Sequence, residues 1–232
     1  MAETSPVTVQ RRGSAGHIVL PPAAVEASGE LVVRSVAAAL KELQRDPEVR
    51  CIVIEGAEAS FRARPAGGSA AEAIAASILG LRTLPLPTIA VLDGEASGTG
   101  ASLLLACDLR LAAPDSTLVL STGDLGLDPG STWELERTLG RARSLGLLYT
   151  GRPLGAAEAL ALGLLTGVAD GEGLAILLAA LLSTLEARPR NVLAAAKRSL
   201  LHAEGAGLEE ALEFDVLLAE SLALKDGDRL ED

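Results

Sequence analysis

Val33, Val36, Ala37, Leu40 and Leu43 recur at helical spacing, with Lys41, Glu42 and Arg45 on the opposite side. Residues 30–45 are therefore expected to form an amphipathic helix, which Asp46-Pro47 ends. The period then changes. Residues 51–56 (CIVIEG) and 88–94 (TIAVLDG) are short apolar runs closed by glycine, the pattern of buried strands. Shorter stretches at 7–9, 17–20, 109–113 and 117–120 predict further strands, the first two separated by the turn-forming RRGSAG. A helical pattern covers 70–84 after the Gly/Pro-rich SFRARPAGGS, and another follows the glycines of GEASGTG. Beyond a Gly/Asp/Pro loop at 121–131, helices are expected over 132–149, 156–162, 173–187, 191–203 and 207–223. Strands alternating with helices, then helices alone, predict an α/β core with a helical extension. Pro189 is the candidate boundary, giving a core of residues 1–188 and a helical region of 189–232.

Composition narrows the chemistry. With 232 residues, 49% of them apolar, the chain fits one domain with a substantial core. Twenty Lys+Arg against 31 Asp+Glu leave a net charge of −11, and only Phe61, Trp133, Tyr149 and Phe214 are aromatic. A base-stacking nucleic-acid binder is disfavoured on both counts. Two Cys and two His build a four-ligand zinc site only if all converge, and Cys51 and Cys107 have no ligand spacing, so no metal is expected. His17 and His202 read as structural and Cys107 as core. No apolar run reaches the roughly 18 residues of a membrane span, and MAETSPVTVQRR lacks the apolar stretch of a signal peptide. A cytoplasmic protein with reduced thiols is the expectation.

Gly98-Thr99-Gly100, between an apolar strand and an apolar helix, has two readings. One is an oxyanion cradle, in which small residues let backbone N–H groups face a developing negative charge at a helix N-terminus. The other is a tight strand-to-helix turn. A dinucleotide fingerprint is ruled out by the glycine spacing, and a phosphate loop by the lack of a following Lys-Ser/Thr.

The stretch PLPTIAVLDGEASGTGASLLLACDLRLAAPDSTL resembles the crotonase (enoyl-CoA hydratase/isomerase) superfamily, as do DPEVRCIVIEGAEASF and LGRARSLGLLYTGRPLGAAEALALGLLTGVAD. The similarity runs from about residue 30 to residue 220. It implies a ClpP/crotonase-like spiral of ββα units with a C-terminal helical trimerisation region, for which RNVLAAAKRSLLHAEGAGLEEALEFDVLLAESLALKDGD is the match. It also implies a substrate held as an acyl thioester, of coenzyme A or of an acyl carrier protein. Two backbone N–H groups would bind the thioester oxygen and stabilise an enolate. Coenzyme A or phosphopantetheine enters as part of the substrate, and no separate cofactor is implied.

Carried over residue by residue, the resemblance assigns one oxyanion N–H to Thr99, flanked by Gly98 and Gly100. The second donor falls on Pro65, which has no N–H, so either that half of the oxyanion hole is missing or Ala66 or Gly67 supplies it after a shift. Arg64 stands where the family has glycine. The family's two glutamate positions are Ser102 and Thr122 here, and neither is a carboxylate. Asp128, in Gly126-Leu127-Asp128-Pro129-Gly130, is the candidate replacement, its alternative role being to shape the turn; Asp124 and Glu95 are weaker candidates. Arg62 and Arg64 either meet a phosphate of the carrier arm or form a solvated pair, and Trp133 either lines the pocket or packs a helix. The implied activity is lyase or isomerase work: hydration or dehydration, isomerisation, or decarboxylation. The alternative is a catalytically degenerate crotonase-fold auxiliary or assembly protein. The expected partners are the thioester and further copies of the chain, in a homotrimer or hexamer, with neither nucleic acid nor membrane.

Overall fold

The computed structural model describes residues 6–22, 29–56, 60–63, 69–120 and 129–227. Strands β1 (Thr8–Arg12) and β2 (Ala15–Val19) form a hairpin. The predicted six-residue turn shrinks to Gly13-Ser14, because Arg12 already pairs with Ala15 and Gly13 adopts a φ of 60°. Helix α1 (Gly29–Arg45) follows, buried along Val33, Val36, Leu40 and Leu43 as the period requires.

Three successive units then repeat one pattern. The first comprises β3 (Cys51–Glu55), β4 (Arg62–Ala63) and α2 (Ser69–Arg82). The second comprises β5 (Thr88–Leu92), β6 (Glu95–Gly98) and α3 (Thr99–Ala106). The third comprises β7 (Leu109–Ala112), β8 (Thr117–Val119) and α4 (Ser131–Leu139). Each unit lays one strand in a six-stranded sheet, ordered β1-β2-β3-β5-β7-β10 with β10 at Gly167–Val168, and one in a four-stranded sheet, ordered β4-β6-β8-β9 with β9 at Leu154–Gly155. Apart from the β1–β2 hairpin and the β8–β9 pair, all strand pairs are parallel. This is the expected spiral of ββα units.

Several elements differ from the sequence reading. EASG, taken as part of a glycine loop, is the strand β6, and the two-residue strands β9 (Leu154–Gly155) and β10 (Gly167–Val168) were not expected. The helix expected over 132–149 is two helices, α4 and α5 (Arg141–Thr150), because Gly140 takes a φ of 73° between them. Helices α6 (Ala156–Ala161), α7 (Gly171–Glu186), α8 (Arg190–Ala203) and α9 (Leu208–Gly227) lie where helices were predicted.

The buried strands divide their side chains between two cores. Ile52, Ile54, Ala90 and Leu92 point into the larger one, shared with α1, α2 and α3. Cys51, Val53 and Ile89 point to the other face, where α7 covers them with Leu174, Leu177, Leu181 and Leu185. Each such fully buried aliphatic side chain is worth about 1.5–3 kcal/mol of transfer free energy. Polar ties hold the helical end to the core. Arg190 donates to the carbonyls of Asp46 and Gln44 at the end of α1, at 2.9 and 2.7 Å. Lys197 Nζ lies 2.8 Å from Asp108 Oδ2, which also accepts from the Thr88 amide and hydroxyl. Among the described residues no helix is long and apolar enough to cross a membrane.

Candidate active site

Strand β4 lies alongside β6 in parallel, with Arg62 opposite Ser97 and Ala63 opposite Gly98. The chain thus leaves β4 beside the residue at which α3 begins. Gly98 caps α3 with a φ of 58° and a ψ of −139°, a conformation that glycine alone adopts at little cost. Gly100 has a different reason. A Cβ there would stand 1.7 Å from the carbonyl oxygen of Phe61, which accepts the Ser97 N–H at 3.1 Å. The first turn of α3 therefore rests directly on the backbone of the 60–63 segment. All eight residues of α3 are buried, Thr99 completely.

One turn into α3, Ser102 stands at the position where the resemblance puts a glutamate. Its Oγ lies 2.7 Å from Oγ of Ser131, the first residue of α4, and both side chains are buried. This bond ties α3 to α4 across the site. Beside it opens a cavity of about 420 Å³, walled by apolar groups that include Ile78 and Leu79 of α2, Leu105 of α3 and Leu201 of α8. Ser102 and Gly130 line it too.

Charged groups in the cavity wall are paired with one another. Glu134 accepts from Arg82 at 2.8 Å and from Arg110 at 2.9 Å, and Arg110 also donates to the Leu105 carbonyl at the end of α3. Arg82 reaches Glu204 at 2.7 Å, joining α2 to the C-cap of α8. Trp133 lines the cavity between two guanidinium groups, whose central carbons lie 3.9 Å (Arg82) and 4.3 Å (Arg137) from its ring centroid. Trp133 thus borders the cavity and also packs α4 against α2.

The remaining sequence candidates fall as follows. Gly98 caps α3, and Thr99, Gly100 and Ser102 lie in its first turn, with Trp133 across the cavity. Arg62 is exposed and pairs with Glu95 at 3.1 Å, which engages both residues at the surface. Arg64, Pro65, Ala66, Gly67, Thr122, Asp124 and Asp128 lie outside the described residues. His17 is buried against Glu55 at 2.9 Å, and His202 stacks on Phe214 with ring centroids 4.0 Å apart. Burial pushes the Cys107 thiol up to about 12 and Cys51 to about 11, so neither is a nucleophile at neutral pH. Ser131, Arg82, Arg110, Glu134 and Glu204 were missed by sequence reasoning. Arg82 reads as an ordinary cation closing a helix, and no local pattern pairs Ser131 with a serine 29 residues earlier.

Known proteins are similar to this chain in sequence and fold. The model of the family described as enoyl-CoA hydratase/isomerase matches residues 21–229. A 1,2-epoxyphenylacetyl-CoA isomerase of Escherichia coli (strain K12) is 34% identical over 171 residues, 66% of this chain and 65% of that protein. A probable enoyl-CoA hydratase of Mycobacterium tuberculosis is 32% identical over 180 residues, 72% of this chain and 70% of that one. The chain thus spans just under two thirds of the length of the Escherichia coli isomerase. The crystal structure of an enoyl-CoA hydratase from Polaromonas sp. JS666 superposes with a TM-score of 0.83 at 27% identity, covering 93% of this chain and 90% of that one.

Proposed function

The chain belongs to the enoyl-CoA hydratase/isomerase family, and on that premise we propose that it binds an acyl thioester, of coenzyme A or of a carrier protein, and stabilises its enolate. The observation that carries this reading is the pairing of Ala63 with Gly98, which brings the chain leaving β4 beside Thr99. The N–H of Thr99, at the start of α3, is assigned to the thioester oxygen, with Ala66 supplying the second donor. In this assignment, charge that develops on that oxygen is met by two amide donors and the positive end of a helix. One such donor is typically worth about 10²–10³ in rate.

Hydration by two glutamates is not open to this chain, since Ser102 holds one of those positions and Thr122 the other. Proton transfer at the carbon next to the thioester is assigned to Asp128, leaving hydration/dehydration with a single carboxylate, isomerisation and decarboxylation as candidate reactions. Incubation of acyl-CoA and acyl-carrier thioesters in D₂O, read by mass spectrometry, tests the assignment. Deuterium should enter the α-carbon with the wild type and not with Asp128→Asn. Equal exchange in both removes Asp128 from the mechanism, and failure to bind any thioester overturns the whole reading. A second reading, a thioester-binding auxiliary protein without turnover, is favoured by the Ser102–Ser131 hydroxyl pair where a carboxylate would work. Binding without exchange or turnover would select it.

A cytoplasmic homotrimer or hexamer belongs to the same reading. Leu208, Leu212 and Val216 leave an exposed apolar stripe along α9, which supports a further copy there. Light scattering after size exclusion measures the mass directly, and a monomer at micromolar concentration refutes the assembly.

A further inference from the structure

A second cavity, of about 700 Å³, lies away from the candidate active site. It opens beside the starts of β3 and β5, where Pro47, Arg50 and Pro85 face the junction of α7 and α8. The segment that carries Phe61 leaves the other end of β3, a five-residue strand about 16 Å long. The two cavities share no lining residue.

Three arginines, Arg50, Arg188 and Arg190, line this cavity, and Glu186 is the one carboxylate among its described lining residues. The excess is two positive charges, in a chain whose net charge is −11. Elsewhere the partly buried cations meet carboxylates: Arg82 and Arg110 meet Glu134, and Lys197 meets Asp108. Here the partners are neutral oxygens. Arg50 donates to the Arg188 carbonyl at 2.9 Å, and Arg190 donates to the carbonyls of Asp46 and Gln44. These bonds hold two guanidinium groups in place without cancelling their charge. The C-terminal end of α1 offsets part of the Arg190 charge, which leaves Arg50 and Arg188 as the principal uncompensated groups. The nearby Asp46 carboxylate is engaged by Arg11 at 3.8 Å and by the Glu48 amide at 2.9 Å.

A half-buried guanidinium without a counter-charge is unfavourable, and an anion in the cavity relieves it. Each guanidinium presents planar pairs of N–H donors that match two oxygens of one phosphoryl group. Two such groups, and an excess of two charges, fit two linked phosphoryl groups better than one. We propose that this cavity binds a diphosphate group, free or carried by a nucleotide, and that the bound anion ties the α7–α8 junction to the starts of β3 and β5. The site is separate from the thioester site and does not depend on that reading.

Isothermal titration of the full chain with inorganic pyrophosphate, inorganic phosphate and ADP, at constant ionic strength, tests this. Wild type should bind one pyrophosphate per chain, about tenfold more tightly than phosphate, the factor expected of one further charged hydrogen bond. Arg188→Ala should weaken pyrophosphate about tenfold or more; Arg188 is exposed, so an unchanged urea midpoint should report an intact fold. Glu186→Gln should tighten binding, since it removes the one lining carboxylate. Arg141→Ala, which removes an equal charge from an exposed position on α5, should leave affinity unchanged. ADP binding more tightly than pyrophosphate identifies a nucleotide, and weaker or equal binding identifies a free diphosphate. Lack of saturable binding at millimolar pyrophosphate overturns the inference, as does affinity that survives Arg188→Ala. An equal loss in Arg141→Ala also overturns it, because diffuse attraction would then replace a site.

Discussion

Gly100→Ala inserts one methyl group at the tightest approach in the site, and its cost follows from the geometry. The new Cβ would lie 1.7 Å from the Phe61 carbonyl oxygen and 2.4 Å from its carbonyl carbon, where real Cβ contacts stop at about 3.0 Å. The obstacle is backbone, so no side-chain rotation relieves it; α3 or the 60–63 segment must move by at least 1.3 Å, the difference between 1.7 and 3.0 Å. Such a shift strains the Ser97 N–H bond to Phe61 and the Ala63–Gly98 register, and it displaces Thr99. Overpacking of a close-packed core costs about 1–3 kcal/mol, and this case belongs at the upper end. At about 2–4 °C per kcal/mol for a chain of this size, the melting temperature should drop by roughly 6–12 °C. Gly146→Ala is the matched control: it sits in α5, meets nothing within 4 Å, and should stabilise by about 0.5–1 kcal/mol. Urea unfolding followed by circular dichroism reads both variants. If Gly100→Ala unfolds within about 0.5 kcal/mol of wild type, the contact between α3 and Phe61 is not as described and the site geometry built on it fails.

Three further outcomes are expected. Glu134→Ala strands Arg110, which is buried and has no other carboxylate partner among the described residues, so unfolding free energy should fall by about 3 kcal/mol, whereas Glu158→Ala, which breaks a fully exposed pair, should leave the urea midpoint unchanged. The bond from His17, then the charges of His17 and Arg12, hold the Glu55 carboxyl below its usual range against the opposing effect of burial. A depressed folded value means stability that is present above the unfolded pKa of about 4.3 and lost as pH falls through the folded one. Urea midpoints measured from pH 7 to pH 3 should therefore decline more steeply in wild type than in Glu55→Gln, and parallel curves would refute the coupling. An aromatic disulfide reagent at pH 8 should find neither thiol in the folded protein and both after denaturation, since both are buried and raised to about 11 and 12.

What the sequence made legible depended on the range of the interactions. Helix α1 and strands β3 and β5 announce themselves because their burial repeats every three to four residues or runs unbroken. Strands β4, β6, β9 and β10 do not, because two to four residues are too few to carry a period; only their neighbours in the sheet define them. The break at Gly140 is hidden for a similar reason, since apolar positions continue on both sides of it. At the site, Gly98 and Gly100 were readable as a place of close approach; Phe61 is what approaches Gly100, and Ala63 pairs with Gly98. The Arg82–Glu134 bond spans 52 residues, and each partner alone looks like ordinary surface charge. Long-range polar pairs of this kind leave no trace in a single sequence.

The pairing of β4 with β6 sets a ruler inside the molecule. Adjacent strands of a sheet stand about 4.8 Å apart whatever their side chains are. The separation between the chain leaving Ala63 and the start of α3 is thus written in main-chain hydrogen bonds. Side chains around this spacing are free to drift over generations, carboxylate to hydroxyl included, without altering the gauge. A single inserted residue in either strand would change it at once. Tolerance of substitution and intolerance of insertion should therefore coexist within the same few residues, and an insertion scan across 60–63 and 95–99 would trace that boundary.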